Sequence, residues 1–319
     1  MQKRRIGRSD LTVAPLGLGG NVFGWSADEK TSFAVLDAFV ASGFNLIDTA
    51  DVYSTWVPGH QGGESETIIG KWMKARGNRT NIVLTTKVGS EMGPGKKGLS
   101  RRYIETAAEA SLKRLQTDYI DLYLSHWEDP QADPEETLGA YADLVKAGKV
   151  RVIGNSNHSA ETMRKALAIS ARRAWPRFEN LQTHYNLYDR SGYEAELEDF
   201  CRKNEIGVTS YFSLAKGFLS GKYRAQADFS KSAARGEDMG TYLNERGLRI
   251  LGSLDTIAKT RKATPAQVAI AWLIARPSLT APIASATSTD QLRDLIRATQ
   301  LDLTAAEIAQ LTQASANSA

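Results

Sequence analysis

Residues 16–22, Leu-Gly-Leu-Gly-Gly-Asn-Val, close the first apolar run of the chain and separate its two candidate folds. An open, doubly wound dinucleotide-binding sheet begins with a strand followed by G-x-G-x-x-G, whose third glycine lets the helix pack against the strand. Here Gly17 and Gly19 are followed by Val22 where that third glycine would stand, so the open-sheet start is missing. Downstream, short runs rich in Val, Ile and Leu alternate with amphipathic stretches, the period of repeated βα units. Eight candidate strands follow: Leu16 to Gly19, Asn45 to Asp48, Ile82 to Lys87, Tyr119 to Leu124, Val150 to Gly154, Leu181 to Thr183, Gly207 to Tyr211 and Leu279 to Ile283. Helix starts are marked by Ser100, by Asp133-Pro134-Glu135-Glu136, by Ser159 and by Thr264-Pro265. The pattern predicts an α/β fold, a (β/α)8 TIM barrel, as a single domain over residues 1–319. Arg4 to Val13, with Gly7 at its turn, reads as an N-terminal β-hairpin closing the bottom of the barrel. Thr304 with Glu307 three residues on starts a helix outside the repeat, one of the extra C-terminal helices. Leu214 to Gly247 is the longest stretch without a strand, and loops of that length usually serve function.

Composition narrows the class. Apolar residues make up 42% and charged residues 24%, the balance of a soluble globular protein. No run approaches the ~20 apolar residues of a membrane span, and the basic N-terminus MQKRRIG lacks the apolar core of a secretion signal. Cys201 is the only cysteine, so no internal disulfide forms and a cytoplasmic location is expected. The net charge of +4 is spread among acids along the helices, which argues against nucleic acid as a partner. His60, His126, His158 and His184 show no metal-ligand spacing, so no metal is expected and a metal-dependent barrel hydrolase is disfavoured.

In a barrel, catalytic groups sit at the carboxyl ends of the strands, so the polar residue that stops each apolar run carries the interest. The second strand ends in NLIDTADVYS, giving Asp48 with Tyr53 five residues on; the third ends at Lys87 and the fourth at His126. Each alone has an ordinary explanation as loop cap, packed aromatic, surface lysine or core histidine. Together they form a set: Lys87 follows strand residues and precedes Val88, so its ammonium points into the barrel mouth, where it needs a carboxylate, and Asp48 lies one strand over.

With these motifs the chain resembles the aldo-keto reductase superfamily from about Arg4 to its last helix. The markers are LGLGG, NLIDTADVY, GGESETIIGKW, the TTK strand end, SLKRLQTDYIDLYLSHW, GKVRVIGNSN, LQTHYNLYDR and SLAKGFLSGKY. The resemblance is to the branch of bacterial aldo-keto reductases and potassium-channel β subunits. It implies reduction of an aldehyde or ketone to the alcohol with NADPH. Tyr53 would be the general acid, Lys87 the group that lowers its pKa, Asp48 the partner of Lys87 and His126 the residue that orients the substrate oxygen.

The same resemblance implies a nicotinamide over the barrel mouth, its carboxamide held by Ser156, Asn157 and Gln182 and its ring stacked on Tyr211. Ser213, Leu214, the amides around Gly217, and Lys222 would bind the diphosphate; Leu214 stands where the family's usual motif has proline. After the last strand, Ser285, Thr287 and Gln291 would hold the 2′-phosphate, with Arg293 and Lys231 as candidate ionic contacts. The lysine or arginine that many relatives carry early in this turn is absent, so NADPH is expected to be preferred with NADH possible and weaker. Phe23, Trp25, Trp56 and Trp127 would wall the substrate pocket, which suits apolar or ring-shaped small-molecule carbonyls. A cofactor-binding sensor or interaction module, and an alcohol or sugar dehydrogenase running oxidatively, stay open as alternatives. Substrate and oligomeric state are not legible in the residues.

Overall fold

The computed structural model describes residues 2–231 and 236–316. A two-stranded antiparallel hairpin, β1 (Arg4–Arg5) and β2 (Thr12–Val13), precedes eight parallel strands. These are β3 (Gly17–Gly19), β4 (Leu46–Asp48), β5 (Val83–Val88), β6 (Ile120–Ser125), β7 (Val150–Ser156), β8 (Phe178–His184), β9 (Gly207–Tyr211) and β10 (Ala281–Ala284). They close in sequence order, β10 returning to pair with β3, so the barrel reading holds and the open sheet is excluded. All eight strands lie where the sequence places them.

The helices form the outer ring: α1 (Glu29–Ala41), α2 (Glu64–Arg76), α3 (Arg101–Leu115), α4 (Pro134–Lys146), α5 (Ala160–Arg173), α6 (Ser191–Glu194), α7 (Leu197–Asn204), α8 (Glu245–Arg261), α9 (Pro265–Ile274), α10 (Thr289–Ala298) and α11 (Ala305–Ala314). The start signals act as caps. Ser100, Asp133 and Ser159 accept backbone N–H groups of the first turn, and Thr264 with Gln267 and Thr304 with Glu307 complete reciprocal capping boxes. Helices α8 and α11 pack on each other outside the eightfold repeat. None of the described helices is long and apolar enough to cross a membrane.

Two cores result. One lies between strands and helices, around residues such as Trp72, Tyr141 and Trp272. The other fills the barrel: Leu46, Val83, Leu122, Leu124, Val152 and Ala281 point inward, and Ile6, Leu11 and Val13 of the hairpin plug the end where the strands begin. Asn45, just before β4, anchors that plug by accepting from the Ala14 N–H and donating to the Thr12 carbonyl. The hairpin turn needs Gly7, at φ +56°, because a Cβ there would stand 2.4 Å from the Glu179 carbonyl oxygen. With the amino ends sealed by apolar side chains, the charged inward-facing group, Lys87, lies toward the carboxyl ends. The stretch after β9 forms three short 3-10 turns, Ala215–Ser220, Gln226–Lys231 and Gly236–Thr241.

Candidate active site

Alternation along β5 turns Val83, Thr85 and Lys87 into the barrel, and Lys87 is fully buried. An ammonium has three N–H donors, and this one uses all three: Asp48 Oδ2 at 2.8 Å, the Thr49 carbonyl at 2.7 Å and the Tyr53 hydroxyl at 3.2 Å. Asp48, at the end of β4, receives the Gln182 Nε2–H on its other oxygen at 2.8 Å from across the barrel. The turn that brings Tyr53 back over Lys87 is tied down through Thr49, whose hydroxyl donates to Ser65, which in turn donates to the Gly20 carbonyl. Because the Tyr53 oxygen accepts from Lys87, its own proton is left to point toward the mouth.

The electrostatics modify one expectation. Burial pushes the Tyr53 phenol up, the Lys87 ammonium pulls it down and Asp48 pushes it back, and the net direction is above the usual value. Lys87 therefore opposes the rise without bringing the phenol toward neutral pH, because desolvation is the larger effect. Tyr53 is a fully protonated acid at physiological pH. Burial would by itself depress Lys87, but Asp48 and Tyr53 more than reverse it, and the ammonium is held above its usual range. Burial, then the Lys87 charge, keep the His126 imidazole well below its usual pKa, so it is neutral. Its Nδ1 is buried with no partner among the described residues, and its ring stands 6.0 Å from that of Tyr53.

Aromatic rings continue outward from this point. Trp56 meets Tyr53 edge-on at 5.7 Å and Trp25 at 5.6 Å, and Trp127 stacks on His126 at 6.2 Å. Trp56 and Trp127 are about half exposed, as walls of an open mouth should be. Phe23 is different. It is fully buried in the core beneath this rim, packed near Gly20.

Opposite the aromatic side, the ends of β7, β8 and β9 hold Ser156, Asn157, Gln182 and Tyr211 together. Asn157, in the left-handed region at φ 59°, donates to the His126 carbonyl (3.1 Å) and to Ser156 Oγ (3.0 Å), and accepts from the Tyr211 hydroxyl (2.8 Å). The Ser156 hydroxyl keeps its own proton, and Gln182 Oε1 has no protein partner among the described residues. One donor and one acceptor are what a carboxamide needs, so a nicotinamide fits these residues. Phe212, Ala215 and Lys216 all have positive φ, a concentration of backbone strain just after the carboxyl end of β9. Ser213 is turned inward and donates to the Ile283 carbonyl at 2.8 Å, tying β9 to β10, and Leu214 packs half-buried against the outer core. The Gly217 N–H is taken by the Leu214 carbonyl; beside it stand two cations, Lys222, its Nζ 4.0 Å from where a Gly217 Cβ would be, and Lys216, which pairs with Asp238.

At the start of α10, Gln291 Oε1 accepts from both the N–H (2.9 Å) and the hydroxyl (3.1 Å) of Thr287, so the two expected phosphate residues are neighbours. Ser285 donates to Asn21, a residue the sequence reading passed over. The two candidate cations are already engaged: Arg293 pairs with Asp290 and Lys231 with Asp228, both on the surface. Such solvent-screened pairs are weak, so a phosphate dianion competes for either cation. No group of three or more His, Cys, Asp or Glu is placed to hold a metal among the described residues.

The sequence model of the aldo/keto reductase family matches residues 15–316. Similar proteins include an uncharacterized oxidoreductase, YrpG, of Bacillus subtilis, 36% identical over 95% of this chain and 92% of that protein. The aldo-keto reductase yakc [NADP(+)] of Schizosaccharomyces pombe is 32% identical over 98% of this chain and 91% of its own length. A probable voltage-gated potassium channel subunit beta of Arabidopsis thaliana is 33% identical over 93% and 91%.

Proposed function

Since this chain belongs to the aldo/keto reductase family, we propose that it reduces an aldehyde or ketone to the alcohol with NADPH as the hydride source. The observation that carries the reading is the buried Lys87 ammonium bound at once to Asp48, Thr49 and the Tyr53 hydroxyl. When bound, the reduced nicotinamide would supply the hydride that adds to the carbonyl carbon. Everything else falls to side chains. The substrate oxygen accepts a hydrogen bond from the neutral His126 ring and receives the Tyr53 proton as the C–O bond becomes single. The phenolate that remains is stabilised by Lys87 until it is reprotonated from solvent. Asp48 keeps the ammonium charged and in place, and Gln182 fixes Asp48.

Ser156 and Gln182 would hold the carboxamide, Tyr211 would lie against the ring, Lys222 would meet the diphosphate, and Thr287 with Gln291 would meet the 2′-phosphate. The half-exposed Trp56 and Trp127 favour ring-bearing or apolar carbonyls. The same groups serve the oxidative direction, in which the Tyr53 phenolate held beside Lys87 accepts the alcohol proton. The alternative, a cofactor-binding sensor or interaction module, needs the cofactor site without turnover. A panel of aldehydes and ketones followed by NADPH absorbance separates these readings: consumption that depends on the carbonyl supports the enzyme, and binding of NADPH without consumption for every carbonyl supports the sensor.

A further inference from the structure

Tyr211 is held on more than its hydroxyl. Parallel pairing of β8 and β9 places His184 directly beside Tyr211, and the two rings lie nearly flat together, with centroids 5.2 Å apart and planes at 18°. Phe212 meets both rings edge-on, at 5.2 Å from Tyr211 and 5.5 Å from His184. His184 in turn is fixed from behind: its Nε2 lies 3.0 Å from Asp189 Oδ2. Asp189 is a well-braced anchor. The same oxygen accepts from Asn186 Nδ2 at 2.9 Å and from the Tyr242 hydroxyl at 3.2 Å, and Asn186 also donates to the Phe212 carbonyl. Burial would raise this carboxyl, yet the hydrogen bonds from His184 and Asn186 hold it below its usual value, so it stays charged beside the imidazole. A two-membered stack backed by a hydrogen-bonded carboxylate leaves the inner ring little freedom, and pre-setting a ring before its ligand arrives lowers the cost of binding.

The geometry points to His184 as a positioning residue: braced by Asp189, it backs the Tyr211 ring and presets it as the platform for the nicotinamide. This rests on the cofactor reading above. Neither His184 nor Asp189 touches the reacting atoms in this account. Their effect is confined to the nicotinamide end of the cofactor, and that confinement is what distinguishes positioning from general support of the fold.

The test is equilibrium binding without substrate, read by quenching of intrinsic fluorescence, with two probes: NADPH, and 2′-phospho-ADP-ribose, which lacks the nicotinamide. His184→Ala removes the backing ring, and His184→Phe keeps a flat ring without the pair to Asp189. Loss of an aromatic stack corresponds to roughly a three- to tenfold weakening. The expected result is that size of loss for NADPH in His184→Ala, little change for 2′-phospho-ADP-ribose, and recovery of most NADPH affinity in His184→Phe. Equal weakening of both probes would mean that His184 merely supports the fold, and unchanged NADPH binding would mean it does nothing for Tyr211. Either overturns the inference while leaving the cofactor reading intact. A wild-type protein that binds 2′-phospho-ADP-ribose as tightly as NADPH, or binds neither, overturns both.

Discussion

Asp51 gives the sharpest quantitative test of this structure's electrostatics. It lies two residues before Tyr53, is 1% exposed, and neither carboxyl oxygen has a hydrogen-bond partner among the described residues. Burial, then the Glu66 carboxylate, push it from 3.8 to about 8, against weaker pulls from Arg114, the Val52 N–H and Lys87. The raised value fixes the sign of the linkage: full stability is present below the unfolded value near pH 4 and is lost progressively as pH rises to about 8. Each unit costs about 1.36 kcal/mol, so by pH 7 the ionisable carboxyl costs the fold roughly 4 kcal/mol. Asp51→Asn removes that dependence while keeping size and shape. With an unfolding entropy of ~2.1 cal/mol/K per residue over this chain, the difference corresponds to roughly 6 °C in Tm. Differential scanning calorimetry of wild type and variant from pH 4 to pH 9 is expected to show the Tm gap widening by about that amount between pH 4 and 7 and levelling off above 8. Turnover at pH 7 should be unchanged, because the protonated carboxyl and the amide are both neutral. A gap that stays constant with pH would refute the reasoning.

Lys87→Met leaves Asp48 buried without its charge partner, so a loss of about 3–5 kcal/mol is expected in denaturant unfolding. The Asp48→Asn/Lys87→Met double variant should regain much of that stability while staying at least ~10²-fold slow in steady-state assays, which separates support of the phenolate from support of the fold. Gln291→Glu preserves the acceptor that Thr287 uses and adds a negative charge beside the proposed phosphate site. KM for NADPH should rise several times more than KM for NADH, and equal changes would remove this turn from cofactor selection.

Much of the site was legible because the barrel makes it so. Barrel sites lie at the carboxyl ends of strands, and Asp48, Lys87 and His126 stand at or just after the ends of strands that are uniformly buried. Boundaries were read short where polar residues sit inside a strand: β8 begins at Phe178, and Asn180 is buried there against Thr209 of β9. The full burial of Phe23 was not legible, because a strand-end loop position does not say which way a side chain turns. The direction of the Tyr53 shift was hidden for a different reason, since sequence shows the neighbouring charge but not the depth of burial that outweighs it. The occupation of Arg293 and Lys231 was readable: Asp290 and Asp228 stand three residues earlier, a spacing that forms local pairs. The Asp189–His184–Tyr211 arrangement was not, because it depends on strand register and on a loop folding back.

In the proposed reaction Tyr53 supplies the proton. Tyr53→Phe keeps the ring against Trp56 and His126 and removes only the hydroxyl that Lys87 binds. With a carbonyl that the wild type reduces, kcat for NADPH consumption is expected to fall by at least ~10²-fold while the NADPH dissociation constant, measured without substrate, stays the same. Turnover close to wild type in a variant that binds NADPH normally would contradict the account.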